Sequence, residues 1–71
     1  MNTSRDEKIS RLNISSEIKK LRENSQVSQL QFYYETKINI ARIERGKYDI
    51  RLQTLRKICL YFNITINDFF D

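Results

Sequence analysis

The side chains best suited to chemistry in this 71-residue chain are cations. Lys37, Arg42, Arg45, Lys47, Arg51, Arg56 and Lys57 lie between Thr36 and Lys57, against only Glu44 and Asp49. The remainder carries six basic and seven acidic residues, so the whole formal surplus of +4 belongs to that window. Clustered guanidinium and ammonium groups are donors for a polyanion, and a local basic segment marks the surface where one would sit. The plain alternative is a solvated helix face.

Catalytic chemistry finds little to work with. There is no histidine, no glycine-rich phosphate loop, no serine in a nucleophile setting, and no carboxylate pair beyond those that surface helices ordinarily carry. The chain is expected not to be an enzyme and to need no cofactor. One cysteine cannot form an internal disulfide, and with no histidine a zinc site is not expected. Cys59 lies in an apolar run and reads as a small buried hydrophobe, consistent with a reducing compartment. The polar N-terminus lacks the apolar stretch of a secretory signal. The apolar-rich uncharged run Ile58 to Asn67 is about half the roughly 20 residues that a membrane-crossing helix requires. A cytoplasmic protein with no membrane partner is the expectation.

A domain this short buries a thin core and depends on packed helices, with self-association as a further support. With one glycine and no proline, the elements must be placed from caps and periodicity. Ser4 and Glu7 have capping-box spacing, with Ile9 and Leu12 following at helical interval, so this stretch is a short helix or the start of a longer one. Ile14, Ile18 and Leu21 form the stripe of a first helix that should fray near Asn24 to Gln26. Ser28 is placed to cap a second, short helix carrying Leu30, Phe32, Tyr33 and Tyr34. Thr36 or Asn39 caps a third, with Ile40 and Ile43 inward and Arg42 and Arg45 outward, and Gly46 stops it. Leu52, Leu55, Ile58 or Cys59, and Phe62 mark a fourth. Thr65 and Asp68 form a second capping box before Phe69 and Phe70, a pair that either closes the core or offers an apolar patch. The expected fold is all-α, a bundle of four to five short helices, with residues 1–13 as an N-terminal extension and 14–71 as the domain. Its brief second helix, tight connection and third helix ending at glycine read as a helix-turn-helix.

The chain also resembles a known family. Ile18-Lys-Lys-Leu21-Arg22, Ser28-Gln29, Ile40-Ala-Arg-Ile43-Glu44-Arg45-Gly46-Lys47, Leu52-Gln-Thr-Leu55-Arg-Lys-Ile58 and Phe62-Asn-Ile64-Thr-Ile66-Asn-Asp-Phe69-Phe70 are similar, in order and nearly in spacing, to the phage repressor and Cro-like (XRE-family) helix-turn-helix proteins. The resemblance implies a lambda-repressor-like domain that binds double-stranded DNA as a homodimer. It implies that Arg22 and Glu44 form a structural ion pair tying the first helix to the third. Gln29 would grip a phosphate at the start of the second helix, with Thr36, Lys47, Tyr48 and Arg51 as further phosphate contacts. Base reading would fall on Lys37, Ile38, Asn39 and Arg42, through donors to guanine or adenine and, for Ile38, contact with a thymine methyl.

One departure bears on those positions. From Ser28-Gln29 to Ile43-Glu44 the chain is about three residues shorter than the family spacing. If the second helix lost them, Thr36 caps the third helix and Lys37, Ile38 and Asn39 face DNA. If the third helix lost its first turn, residues 36–39 are the turn, Ile38 plugs the core and Asn39 is the cap. Ile38 discriminates, since on a helix it would lie about 200° from the inward-facing Ile40. An isoleucine in the turn is the easier of the two to accommodate, and Arg42 survives under both.

Two functions are therefore carried forward: a sequence-specific transcriptional regulator, and a protein-interaction module or antitoxin-like partner-binding protein that keeps the fold. RNA binding is disfavoured because the aromatics lack a sheet on which bases could stack, and most of Phe32, Tyr33, Tyr61 and Phe62 are expected in the core.

Overall fold

Helices account for about three quarters of the described chain, because its apolar residues recur at three- and four-residue intervals. The computed structural model describes the backbone of residues 3–46 and 49–70 and the side chains of residues 14–46 and 49–70. Five helices are seen among them: α1 (Thr3–Asn24), α2 (Gln29–Thr36), α3 (Ile40–Glu44), α4 (Leu52–Tyr61) and α5 (Ile66–Phe70). The fold is all-α, as expected. The backbone is helical without a break from Thr3 to Asn24, so the first stretch is the start of a longer helix. The capping role of Ser4 and Glu7, and the packing of Ile9 and Leu12, lie outside the described side chains.

Each helix whose end is described stops at a residue in the left-handed region: Gln26 (φ 58°), Lys37 (φ 64°), Gly46 (φ 69°) and Asn63 (φ 62°). Beyond α1, the Val27 and Gln26 amides donate to the Arg22 and Glu23 carbonyls, and beyond α4 the Ile64 and Asn63 amides donate to those of Cys59 and Leu60. Both are Schellman ends, which satisfy the last carbonyls of a helix. At the other ends, the Ser28 hydroxyl accepts from the Gln31 amide at 3.0 Å. Thr65 and Asp68 exchange two hydrogen bonds of 3.0 and 3.1 Å ahead of α5. Both caps fall where the spacing places them.

The core is Ile18 of α1, Phe32 of α2, Ile40 and Ile43 of α3, Leu55, Ile58 and Cys59 of α4, and Phe69 of α5. Cys59 is buried, and that burial pushes its thiol above the ordinary value, which suits packing and not nucleophilic chemistry. Phe32 is the centre of an aromatic cluster, stacked on Phe62 with centroids 5.6 Å apart and meeting the edge of Tyr61 at 4.7 Å.

Three expectations are corrected. Tyr33 is exposed: it follows Phe32 by about 100° around the helix, and the inner face of so short an element admits only one large ring. Leu52, expected on the inner stripe of α4, stands exposed at the first turn of that helix, one turn short of Leu55, where burial begins. Phe69 and Phe70 do not act as a pair, since Phe69 closes the core and Phe70 faces solvent.

Tyr61 also ties α4 to α2, its phenol donating to Glu35 Oε1 at 2.5 Å. That bond, with burial and the carboxylate charge adding to it, raises the phenol above its ordinary value of 10.0. A raised folded value means that the contribution is complete below about pH 10 and is lost as the pH rises through the folded value. Thermal unfolding from pH 8 upward should show the wild type losing stability above pH 10 more steeply than Tyr61→Phe. Parallel curves would remove the bond from the stability account.

Candidate nucleic-acid interface

The segment expected to meet DNA is built by the α2–α3 turn. Thr36 is the last residue of α2: its hydroxyl donates to the Phe32 carbonyl at 2.8 Å and accepts from the Ile38 amide at 3.1 Å. It is therefore occupied in closing α2 and does not cap α3. Lys37 follows in the left-handed conformation, its amide donating to the Tyr33 carbonyl at 2.7 Å. Ile38 is half-buried and packs against the core. Asn39 is the cap, its Oδ1 accepting from the Arg42 amide at 3.2 Å. This is the second of the two arrangements left open by the sequence, in which residues 37–39 are turn and α3 is brief. Ile38 is thus directed at the core and not from a helix face into solvent.

Within α3, Ile40 and Ile43 point inward and are buried, while Arg42 is exposed, as is Arg45 at its end. Gly46 then leaves the helix at φ 69°, and a Cβ there would come within 3.0 Å of Ser15 Oγ. Ser15 explains the close approach: it is buried in α1 and its hydroxyl donates to the Ile43 carbonyl at 3.0 Å, satisfying an open carbonyl at the end of α3. Periodicity does not single Ser15 out, because a buried serine in an apolar stripe looks like a polar interruption.

Arg22 fixes the other end of this contact. Its Nε and Nη2 donate to Glu44 Oε2 and Oε1 at 2.6 and 3.0 Å, and its Nη1 donates to the Val27 carbonyl at 2.9 Å. The two side chains are 11% and 5% exposed, so the pair is shielded, bidentate and hydrogen-bonded on its remaining side, the arrangement in which a buried ion pair is well compensated. The bond from Glu44 raises the Arg22 guanidinium above its usual value despite an opposing effect of desolvation. Glu44 Oε1 also accepts from Gln29 Nε2 at 3.0 Å. One carboxylate therefore joins α1, the start of α2 and the end of α3, and nothing in the spacing of Gln29 and Glu44 alone reveals this three-way junction.

The remaining site residues are dispersed. Gln29 is exposed at the first position of α2, and Arg51 is exposed just before α4 without capping it by its side chain. Lys47 and Tyr48 lie outside the described residues. Lys37 stands exposed in the turn, with its ammonium 5.1 Å from the ring centroid of Tyr34 and 5.8 Å from that of Tyr33. Among the described residues no cluster of His, Cys, Asp or Glu could hold a metal ion, and no helix is long and apolar enough to cross a membrane.

No curated protein and no solved structure matches the chain. A comparison with protein families matches residues 18–69 to one described as helix-turn-helix. That span runs from Ile18 in the α1 stripe to Phe69 of α5 and contains the ion pair, the α2–α3 turn and the glycine end of α3. With residues 18–69 of its 71 matched, the chain belongs to the Cro/repressor-like (XRE) family of helix-turn-helix DNA-binding proteins.

Proposed function

We propose that the protein is a small, repressor-like transcriptional regulator of the cytoplasm that binds specific double-stranded DNA sequences as a homodimer, with α3 in the major groove. The observation that carries the proposal is the disposition of charge on α3. Its one carboxylate, Glu44, is drawn below the surface by Arg22 and Gln29, which leaves Arg42 and Arg45 as the exposed charges at this helix. A surface so arranged is attractive to phosphate and presents a guanidinium of the kind that donates to guanine O6 and N7.

In this reading Arg42, from the first turn of α3, is the principal base contact and Asn39, the cap of that helix, the second. Lys37 lies in the turn outside the base-reading face of α3, and Ile38 is left out of the reading set because it packs against the core. Gln29, Thr36, Lys47, Tyr48 and Arg51 are assigned to phosphate on the family resemblance alone, Thr36 by its position only, since its hydroxyl proton is committed to the Phe32 carbonyl. Two subunits would read half-sites about one helical turn, roughly 34 Å, apart.

Selection of bound duplexes from a random pool tests the proposal, and a palindromic consensus is the expected result. Arg42→Ala should lower discrimination at one position of that consensus by about 1–3 kcal/mol, whereas Lys47→Ala should weaken all sequences alike. Failure to bind any duplex at low salt would remove the proposal. The exposed Leu60 of α4 and Phe70 of α5 favour a second reading, a partner-binding module of the antitoxin type. Capture of a stable heterologous partner, combined with salt-insensitive and sequence-blind DNA binding, would select that reading.

A further inference from the structure

The exposed side of α2 ends in a cluster that base reading by α3 does not use. The Lys37 ammonium lies over the rings of Tyr34 and Tyr33, with centroid distances of 5.1 and 5.8 Å, and all three side chains are exposed. An exposed lysine ordinarily samples many rotamers, and ordering it on a ligand is costly. Two ring faces hold this ammonium near one place beforehand. They cannot occupy all three of its N–H donors. The backbone beneath is left-handed (φ 64°, ψ 16°), a conformation in which glycine is preferred to lysine, so backbone preference does not account for the residue found here.

The charge around the cluster points the same way. The carboxylate beside it in sequence, Glu35, is engaged by Tyr61 and by Gln31 Nε2. The turn also immediately precedes the N-terminal end of α3, the end that a reading helix inserts in the major groove. That groove is about 12 Å wide and bordered by phosphates, so a side chain lying back on α2 meets the backbone before it meets a base.

We propose that Lys37, seated on Tyr33 and Tyr34, is a preordered clamp for a phosphate of the DNA backbone at the edge of the half-site. This rests on the reading of α3 as the groove-reading helix, and it assigns Lys37 to the backbone and not to a base edge.

The test measures affinity of the full chain for a random-sequence duplex and for a pool-selected duplex across a series of salt concentrations. Lys37→Gln should weaken both duplexes by a similar factor, roughly 5- to 10-fold near 0.1 M salt, and reduce the slope of log K against log salt by about 0.9. Lys37→Gly should show the same loss without a fall in Tm, because glycine suits the left-handed backbone; this separates the clamp from folding. Lys37→Gln should also cost less in a Tyr34→Leu background than in the wild type, since the seat is already gone. An unchanged slope in both Lys37 variants overturns the clamp while leaving groove reading intact. So does a change confined to one base position with the slope preserved, which would make Lys37 a base contact. Absence of wild-type binding to either duplex overturns groove reading and the clamp with it.

Discussion

Glu44→Ala is expected to cost about 3–5 kcal/mol of folding free energy, the usual result of stranding one charge of a shielded ion pair. The Arg22 guanidinium would keep the Val27 carbonyl but lose both carboxylate bonds while remaining enclosed. For a domain of this size, whose total stability by the general per-residue range is roughly 4–10 kcal/mol, that is a large fraction. At about 4–8 °C per kcal/mol, the thermal midpoint should fall by well over 10 °C. Arg22→Met with Glu44→Leu should recover most of the loss, because an apolar pair of similar volume leaves no charge uncompensated. Chemical and thermal unfolding of the two variants checks both statements. A single variant as stable as the wild type would mean that water reaches the pair. The recovered double variant is also informative for function: it restores packing between α1 and α3 but leaves Gln29 without its carboxylate partner, so DNA affinity should remain reduced when stability returns.

Phe32→Ala is expected to have an effect of the same order, about 3–5 kcal/mol. Phe32 is fully buried and is the only residue of α2 that is. Its ring meets Phe62 and Tyr61 of the α4 end, so truncation removes the main attachment of α2 to the core and leaves a cavity between two elements. The α2 helix has only eight residues, too few to persist alone in water. Unfolding of α2 would then free Thr36 and the turn that positions Asn39, so DNA binding should be lost together with stability. Phe32→Leu, which refills part of the space, should retain a cooperative transition at reduced stability. Urea unfolding followed by far-ultraviolet circular dichroism measures the loss, and a Phe32→Ala protein within about 1 kcal/mol of wild type would show that α2 is held by other contacts.

Much of the fold is legible in the chain because it is written in local terms. The caps at Ser28 and Thr65–Asp68, the inward pairing of Ile40 with Ile43 and the glycine at the end of α3 each depend on residues within a few positions of one another. The helix ends at Gln26, Lys37 and Asn63 are less visible. They adopt the left-handed geometry that glycine usually signals, and a glutamine or lysine there carries no such signal. The same reason obscures the α2–α3 turn: whether Thr36 or Asn39 caps α3 depends on a hydroxyl choosing between two backbone groups, and both residue types suit the cap.

Beside the Arg22–Glu44 pair, which only the family resemblance implied, the sequence by itself determined that helices must supply the fold and that the net positive charge is confined to residues 36–57. Those are properties of composition and order. The tertiary structure alone decided that Ile38 packs against the core, that Ser15 and Gly46 fit against each other, and that Glu44 holds Gln29 as well as Arg22. Each of these joins elements whose relative placement follows from packing around Phe32, Ile40 and Ile58, and a short-range pattern carries no information about which exposed or polar residues that packing will bring together.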